Sequence, residues 1–566
     1  MAKQTRNVPK PEPAFGQGLT QFAARNQKTL FWFSFGLMAV MSLLLFNMRV
    51  SEGGDDSTYL CRAMEVVASG RYPDFQGPAY PLFLSLFIFA FGFNLILLKL
   101  TSLACMLTGH WLLYRLLRGR VNPLLLVAVL GLTAVNSWLL YYASQTYSEP
   151  LFMCVQYLFC ILFFRFSERT GLTARQTFAA SAAVAAVILA AMLVRTIGIG
   201  FLIVAALSLC IDRKFRKAFS LCLAFVLCWL LWLGVYHVVW GSSVKSKSSG
   251  QIEQLMLKHP YQLENGREDF MGFVGRFGGN SKLYLSKHFA IITGFKDADS
   301  RETSTPLTVL YYLIFAAAMV RAYRCNRFVF FAGLHVAVML AVTFVVLQVL
   351  WDQYRLMIIY LPLMMMLELY GVYAIVRYVL GGGVAVGVAG LLLFIGGCSS
   401  VGNSLDRIDL MCLRSNLMGD KFVGYTPDWV NYLTACEYAG TTLGPDECAA
   451  CRKPNMARIY ANGKKFYGIY SFDTEDADEL LRRLSDNGVT HVILGSMRRD
   501  PLVNDGTIIN TLHRYVAYVA QKYPDAFQLV RTFGTADTEP AYLLRVRYDA
   551  AGMTYPNNDP DNAKKD

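Results

Sequence analysis

The sequence predicts an all-α polytopic membrane protein of about eleven transmembrane helices, followed by a C-terminal extracytoplasmic α/β domain. Three observations predict it. Of 566 residues, 55% are hydrophobic and only 16% are charged. Apolar runs near or above the roughly 20 residues that cross a bilayer recur along the first four hundred positions. From about residue 402 the composition becomes that of a water-soluble domain. The net charge of +13 does not indicate a nucleic-acid partner. Lys and Arg cluster in short loops between apolar runs, where they set membrane topology.

The N-terminal tail, residues 1–28, carries Lys3, Arg6, Lys10, Arg25 and Lys28 and is predicted to be cytoplasmic. The first span, about 29–49, has no small-residue cleavage site after it and reads as a retained anchor. It leads to a first outer loop, residues 50–93. Within that loop residues 80–92 are too short to cross and fit a helix lying at the membrane surface. Spans follow at about 94–114, 122–142 and 150–166, then two around Arg195, then one at about 218–240. A second outer loop, 242–303, precedes spans at about 305–320 and 328–350, a tenth ending near Arg377, and an eleventh at about 379–399. The transmembrane part thus covers 29–401. Arg115, Arg118 and Arg120, Arg169 and Arg175, Arg213 to Lys217, and Arg321 to Arg327 all fall on one side, taken as cytoplasmic.

Residues 402–566 then lie outside. A strand at Phe466–Phe472, a helix carrying Leu480, Leu481 and Leu484, and a strand at Val489–Leu494 form a βαβ-like unit. Cys448 and Cys451 make a C-x-x-C with Cys436 nearby. One pair offers too few ligands for structural zinc, and an oxidising compartment favours a local disulfide. No Asn-x-Ser/Thr acceptor occurs anywhere, which points to a bacterial inner membrane with a periplasmic C-terminal domain.

Several polar residues are not explained by membrane burial. Residues 53–59 read Gly-Gly-Asp-Asp-Ser-Thr-Tyr at the outer mouth of the first span. Lipid does not solvate two ionised carboxylates, so Asp55 and Asp56 face water or a polar cavity. Two readings stand: a helix cap formed by Asp55, Asp56 or Ser57, and a proton acceptor. Glu149 precedes a span, with Pro150 opening the helix; its simpler reading is a first-turn acid favoured by the helix dipole. Arg195 sits between apolar segments on the outer side, against the charge rule, and so needs a partner or a task. Trp351-Asp352-Gln353-Tyr354-Arg355 occupies another outer helix mouth, where the simpler reading is an Asp352–Arg355 pair. Acids that take a proton and guanidinium forks that hold a phosphate are what group transfer from a phospholipid requires.

At these residues the chain resembles a known family. Asp55-Asp56-x-x-Tyr59, Ala63, Gly70, Tyr72 and Gly77-Pro78-x-Tyr80-Pro81-Leu82 resemble the first outer loop of GT-C glycosyltransferases, in the dolichyl-phosphate-mannose-protein mannosyltransferase and aminoarabinose-transferase-like branch. Tyr147-Ser148-Glu149 and Tyr354-Arg355-Leu356 are similar to that branch's second acidic motif and late basic helix start. The resemblance covers about residues 30–400. It implies a GT-C-like core and a polyprenyl-phosphate-linked sugar as donor. The acceptor it implies is a lipid, glycan or protein at the outer face. Asp55 becomes the general base of an inverting transfer, with Asp56 and Glu149 as companion acids. Arg355 and Arg195 become binders of the donor phosphate, and Tyr59, Tyr80, Pro81 and Tyr354 line the substrate loops. No cofactor is required; a divalent metal at Asp55, Asp56 and Glu149 is permitted. The chain departs from the family's frequent Asp-Glu with its Asp55-Asp56. Two other classes compete: a lipid or polysaccharide transporter, and a non-catalytic envelope-assembly protein on the same core. A transporter places its ionisable groups near the bilayer midplane within repeated halves. No such repeat is evident here.

Overall fold

A computed structural model describes residues 14–74, 76–241, 255–259, 265–349, 351–499, 504–535 and 538–553. Parts of the expected outer loop, 242–254 and 260–264, lie outside the described residues. Among the described residues, nine helices are long and apolar enough to cross a membrane. They are helices because lipid offers no partner for backbone N–H and C=O groups, which must therefore bond within each segment. A pair of helices, Pro123–Val135 and Ser137–Ser144, meets the same length and apolarity together and is bent by 53°. The eleventh expected span corresponds to Thr196–Ile211, which is apolar but shorter. The chain is a polytopic helical membrane protein with a small C-terminal α/β part.

Local sequence sets the ends of these helices. Asn94, Asn122, Ser304 and Asn326 accept bonds from first-turn amides as N-caps, and Thr173 with Gln176 forms a reciprocal capping box. Pro123, Pro150, Pro306 and Pro362 stand in first turns, where a missing N–H is harmless. The bend inside the expected 122–142 span is made by Asn136. Its side chain accepts from Leu139 N and so starts a new helix, while its amide donates to Ile292 O at 3.0 Å. The first helix runs Ala14–Leu44, so it begins within the stretch expected to be a tail. Ala79–Phe91 is a short apolar helix with Leu86, Phe89 and Phe91 exposed, the form of an interfacial helix.

The chain divides into two compact units. One holds residues up to Phe46 and Glu65–Leu410; the other holds Asn47–Met64 and Met411 onward. The core of the first is an apolar and aromatic helix bundle, in which Phe159 stacks on Phe201 and Phe163 on Phe331. A buried polar thread crosses it: Gln156 Oε1 accepts from His335 Nε2 at 3.1 Å, and Gln156 Nε2 donates to Ile359 O at 2.8 Å.

The second unit contains a five-stranded sheet of β1 (Cys448–Cys451), β2 (Tyr467–Gly468), β3 (Val489–Gly495), β4 (Phe527–Phe533) and β5 (Ala541–Val546). Its order is β2-β1-β3-β5-β4. β1 is parallel to β2 and β3, and β5 is antiparallel to β3 and β4. Leu480, Leu481 and Leu484 of the helix Ala477–Asp486 pack with Val489, Val492 and Val519. Each such side chain contributes about 1.5–3 kcal/mol on burial. The strand expected at Phe466–Phe472 shortens to β2, and it pairs with β1 rather than β3.

The expected Cys448–Cys451 disulfide does not form; both thiols are free, as is that of Cys436. Residues three apart on a strand point to opposite faces, with Cα atoms about 10 Å apart, beyond the ~7 Å a disulfide tolerates. Burial pushes the Cys451 thiol up to about 12 and raises Cys448 as well, so both are inert packing residues.

Candidate functional site

In the first unit, three charged residues converge from separate parts of the chain. Glu149 occupies the first turn of the helix Glu149–Glu168 and is fully buried. Arg195 is the C-terminal cap of the helix Ala174–Val194, in extended conformation. Arg355 opens a short helix, Arg355–Ile358, just before Leu361–Leu380. Arg195 Nη1 lies 2.6 Å from Glu149 Oε1 and also donates to Ser148 Oγ at 3.1 Å. Arg355 Nε donates to the same Oε1, and its guanidinium lies 4.4 Å from the ring centre of Tyr147. Both arginine side chains retain slight exposure, 12% and 10%. One carboxylate faces two guanidinium ions, so the cluster carries a net positive charge. Such an arrangement suits an anion with several oxygens.

Close backbone packing makes the cluster possible. A Cβ on Gly198 would lie 2.4 Å from the Ala191 carbonyl carbon, so only glycine lets the chain fold back after Arg195. A Cβ on Gly77 would meet Val194 O at 2.3 Å. The Gly77-Pro78 motif thus seats its loop against the residue before Arg195.

The expected Asp352–Arg355 pair is replaced by longer-range partners. Asp352 Oδ2 lies 2.5 Å from Lys287 Nζ, and its Oδ1 lies 2.7 Å from His288 Nε2. The bond from His288, with Lys287 adding to it, draws Asp352 down to about 2 against the opposing effect of burial. Burial holds His288 below its usual value, so Lys287 supplies the balancing charge. Lys287 and His288 lie in a π-helical turn, Tyr284–Phe289, whose Tyr284 hydroxyl donates to Trp351 O. Tyr354 stacks on Trp138 at 4.0 Å, with His288 edge-on at 4.3 Å and Arg407 over the opposite partner, Trp138, at 4.0 Å. Sequence reasoning missed Lys287, His288, Trp138 and Arg407. The one available signal was the Lys-His pair in an otherwise apolar stretch, 283–292.

In the second unit, the acidic loop ends on Gly54, whose φ of +88° favours glycine. Ser57 and Thr58 hydroxyls donate back to Gly54 O at 2.7 and 2.9 Å. Asp56 is fully buried; its Oδ2 accepts from Ser51 N at 2.7 Å and its Oδ1 from Ser57 N at 2.8 Å. It therefore clips the loop to the helix Asp55–Ser69. Asp55, at the first position of that helix, is only partly buried. Tyr59 and Tyr80 lie in helices and are 0% and 1% exposed, and Pro81 is buried beside Tyr80.

Asp56 is committed to amides and Glu149 to arginines. Among the described residues no three His, Cys, Asp or Glu side chains are grouped to hold an ion.

No protein-family model matches the sequence, and no curated relative does. Solved structures do. The crystal structure of ArnT from Cupriavidus metallidurans bound to undecaprenyl phosphate aligns with 92% of this chain and 99% of its own, at a TM-score of 0.54 and 12% identity. The same protein in the apo state aligns at 0.50 and 13% identity, over 94% and 100% of the two chains. These likenesses show the fold, that of a polytopic helical membrane protein built like ArnT.

Proposed function

We propose that this protein transfers a sugar from a polyprenyl-phosphate donor to an acceptor at the outer face of a bacterial inner membrane. The carrying observation is the convergence of Arg195 and Arg355 on buried Glu149. The undecaprenyl phosphate bound by ArnT, which shares the fold, supports a lipid-phosphate ligand here. On this reading Arg195 and Arg355 hold the donor phosphate, and Glu149 fixes their forks rather than acting on substrate. The N-terminus is cytoplasmic, residues 29–401 form the membrane catalytic part, and 402–566 are periplasmic.

Asp55 takes the proton of an acceptor hydroxyl as that oxygen attacks the anomeric carbon. The new C–O bond forms as the bond from the anomeric carbon to the phosphate oxygen breaks, with inversion. The electron pair leaves with the polyprenyl phosphate, whose developing charge the two guanidinium groups meet. Asp56 takes the supporting role its amide bonds give it.

Purified protein assayed with lipid-linked sugar and acceptor tests this. Asp55→Asn lowers turnover by roughly 10²-fold or more while the protein still folds. Arg355→Ala raises the donor KM by about ten- to a hundredfold. Normal turnover in the first variant removes Asp55 as base and favours the envelope-assembly reading; an unchanged donor dependence in the second removes Arg355 from the phosphate site.

A further inference from the structure

The second unit brings a residue distant in sequence onto the Gly-Gly-Asp-Asp loop. Lys453 Nζ donates to Glu52 O at 2.9 Å and lies 3.5 Å from Gly53 O. A Cβ on Gly54 would stand 3.6 Å from that same Nζ, so the ammonium lies against the turn itself. The neighbouring contacts run the length of the loop. Asn455 Nδ2 donates to Thr58 Oγ1 at 2.9 Å, and Cys61 Sγ lies 3.4 Å from Asn455 O. Val50 is held on both sides: its N–H faces Tyr460 OH at 3.5 Å and its carbonyl accepts from Tyr425 OH. Met48 N donates to Asn416 Oδ1 at 3.2 Å. Five residues beyond position 410 thus grip the stretch from Met48 to Cys61 around Asp55.

We infer that Lys453 is a positioning residue for Asp55, its ammonium bonding the loop carbonyls so that the carboxylate is presented in one orientation. This rests on the reading of Asp55 as base. The loop carbonyls of Glu52 and Gly53 point their negative ends at Lys453, and the carboxylates of Glu52, Asp55 and Asp56 surround it. A cation there binds the turn from outside while Asp56 clips it from inside. The C-terminal domain is then part of the catalytic apparatus rather than an appendage.

The charge on Lys453 is titratable. Burial, with Arg452 adding to it, brings its pKa down to about 8, opposed by Asp55, Asp56 and Glu52. Tyr425 and Tyr460, the other titratable groups near Asp56, are raised by burial, so Lys453 is the neighbour that discharges first. Turnover is therefore expected to fall above about pH 8 as the clamp loses its charge.

The test uses the full chain in lipid nanodiscs, as wild type, Lys453→Met and Lys453→Arg. Without substrate, the Ser51 and Gly54 amides, bonded to Asp56 Oδ2 and Ser51 O, should exchange about tenfold faster in Lys453→Met and near the wild-type rate in Lys453→Arg. Equal exchange in wild type and Lys453→Met overturns the inference. In the transfer assay, Lys453→Met lowers kcat with donor KM unchanged, and Lys453→Arg restores it and abolishes the fall above about pH 8, because guanidinium does not titrate there. Retention of that fall in Lys453→Arg also overturns it. If Lys453→Met fails to fold by its melting curve, the pH profile of Lys453→Arg decides. Should the wild type transfer no sugar, the functional reading fails, and the exchange result still decides whether Lys453 holds the loop.

Discussion

At the scale of single residues, the charges that break the membrane pattern find one another. Arg195 and Arg355 were conspicuous in sequence because each violates the charge rule, and both are bound to Glu149. What sequence did not reveal was the pairing. Local spacing favoured Asp352 for Arg355, but helix packing brought Glu149 from 206 positions away and left Asp352 to Lys287 and His288. Asp352 gives a pH-dependent prediction. Its folded pKa of about 2 lies below the ordinary value near 4, so its contribution is present above that value and lost as pH falls through about 2. Asp352→Asn should lower the melting temperature at pH 6, and the gap to wild type should close on going from about pH 4 to about pH 2. A gap independent of pH would show that the carboxylate charge does not hold this turn. Sequence also did not reveal how deeply Tyr59, Tyr80 and Pro81 lie within the fold. Short motif residues at a helix start serve equally as core, and burial is a tertiary property.

Among the elements, the long apolar segments were legible because bilayer thickness fixes their length and leaves lipid-facing helices no alternative. Breaks were not. Asn136 looks like one polar residue inside a span, yet its side chain restarts the helix. The end of Ala174–Val194 is another break, and there Gly198 decides whether the chain can turn back with Arg195 in place. Gly198→Ala would set a methyl 2.4 Å from a backbone carbon that no side-chain rotation can relieve. The expected cost is about 1–3 kcal/mol, seen as a lower melting temperature together with weaker donor binding. A variant as stable as wild type would mean that the Thr196–Ile199 turn yields to that strain. The C-x-x-C reading went astray in the same way. Its spacing suits a turn, and the residues fold into β1.

For the whole molecule, the basic-loop pattern predicts a cytoplasmic N-terminus and a C-terminus outside. Alkaline phosphatase fused after residue 566 should be active in intact bacterial cells, and a fusion after the basic cluster at Arg213 to Lys217 should be inactive. The opposite pair of results would invert the topology and remove the acceptor from the outer face. The division into two units carries a further consequence, one of timing. Asn47–Met64 folds with residues from Met411 onward, so the acidic loop is synthesised about 350 residues before its partners. At roughly 5–20 residues per second, each nascent chain spends on the order of 20–70 s with Asp55 on an unsupported segment. A product that stops before Met411 therefore lacks the residues that hold this loop.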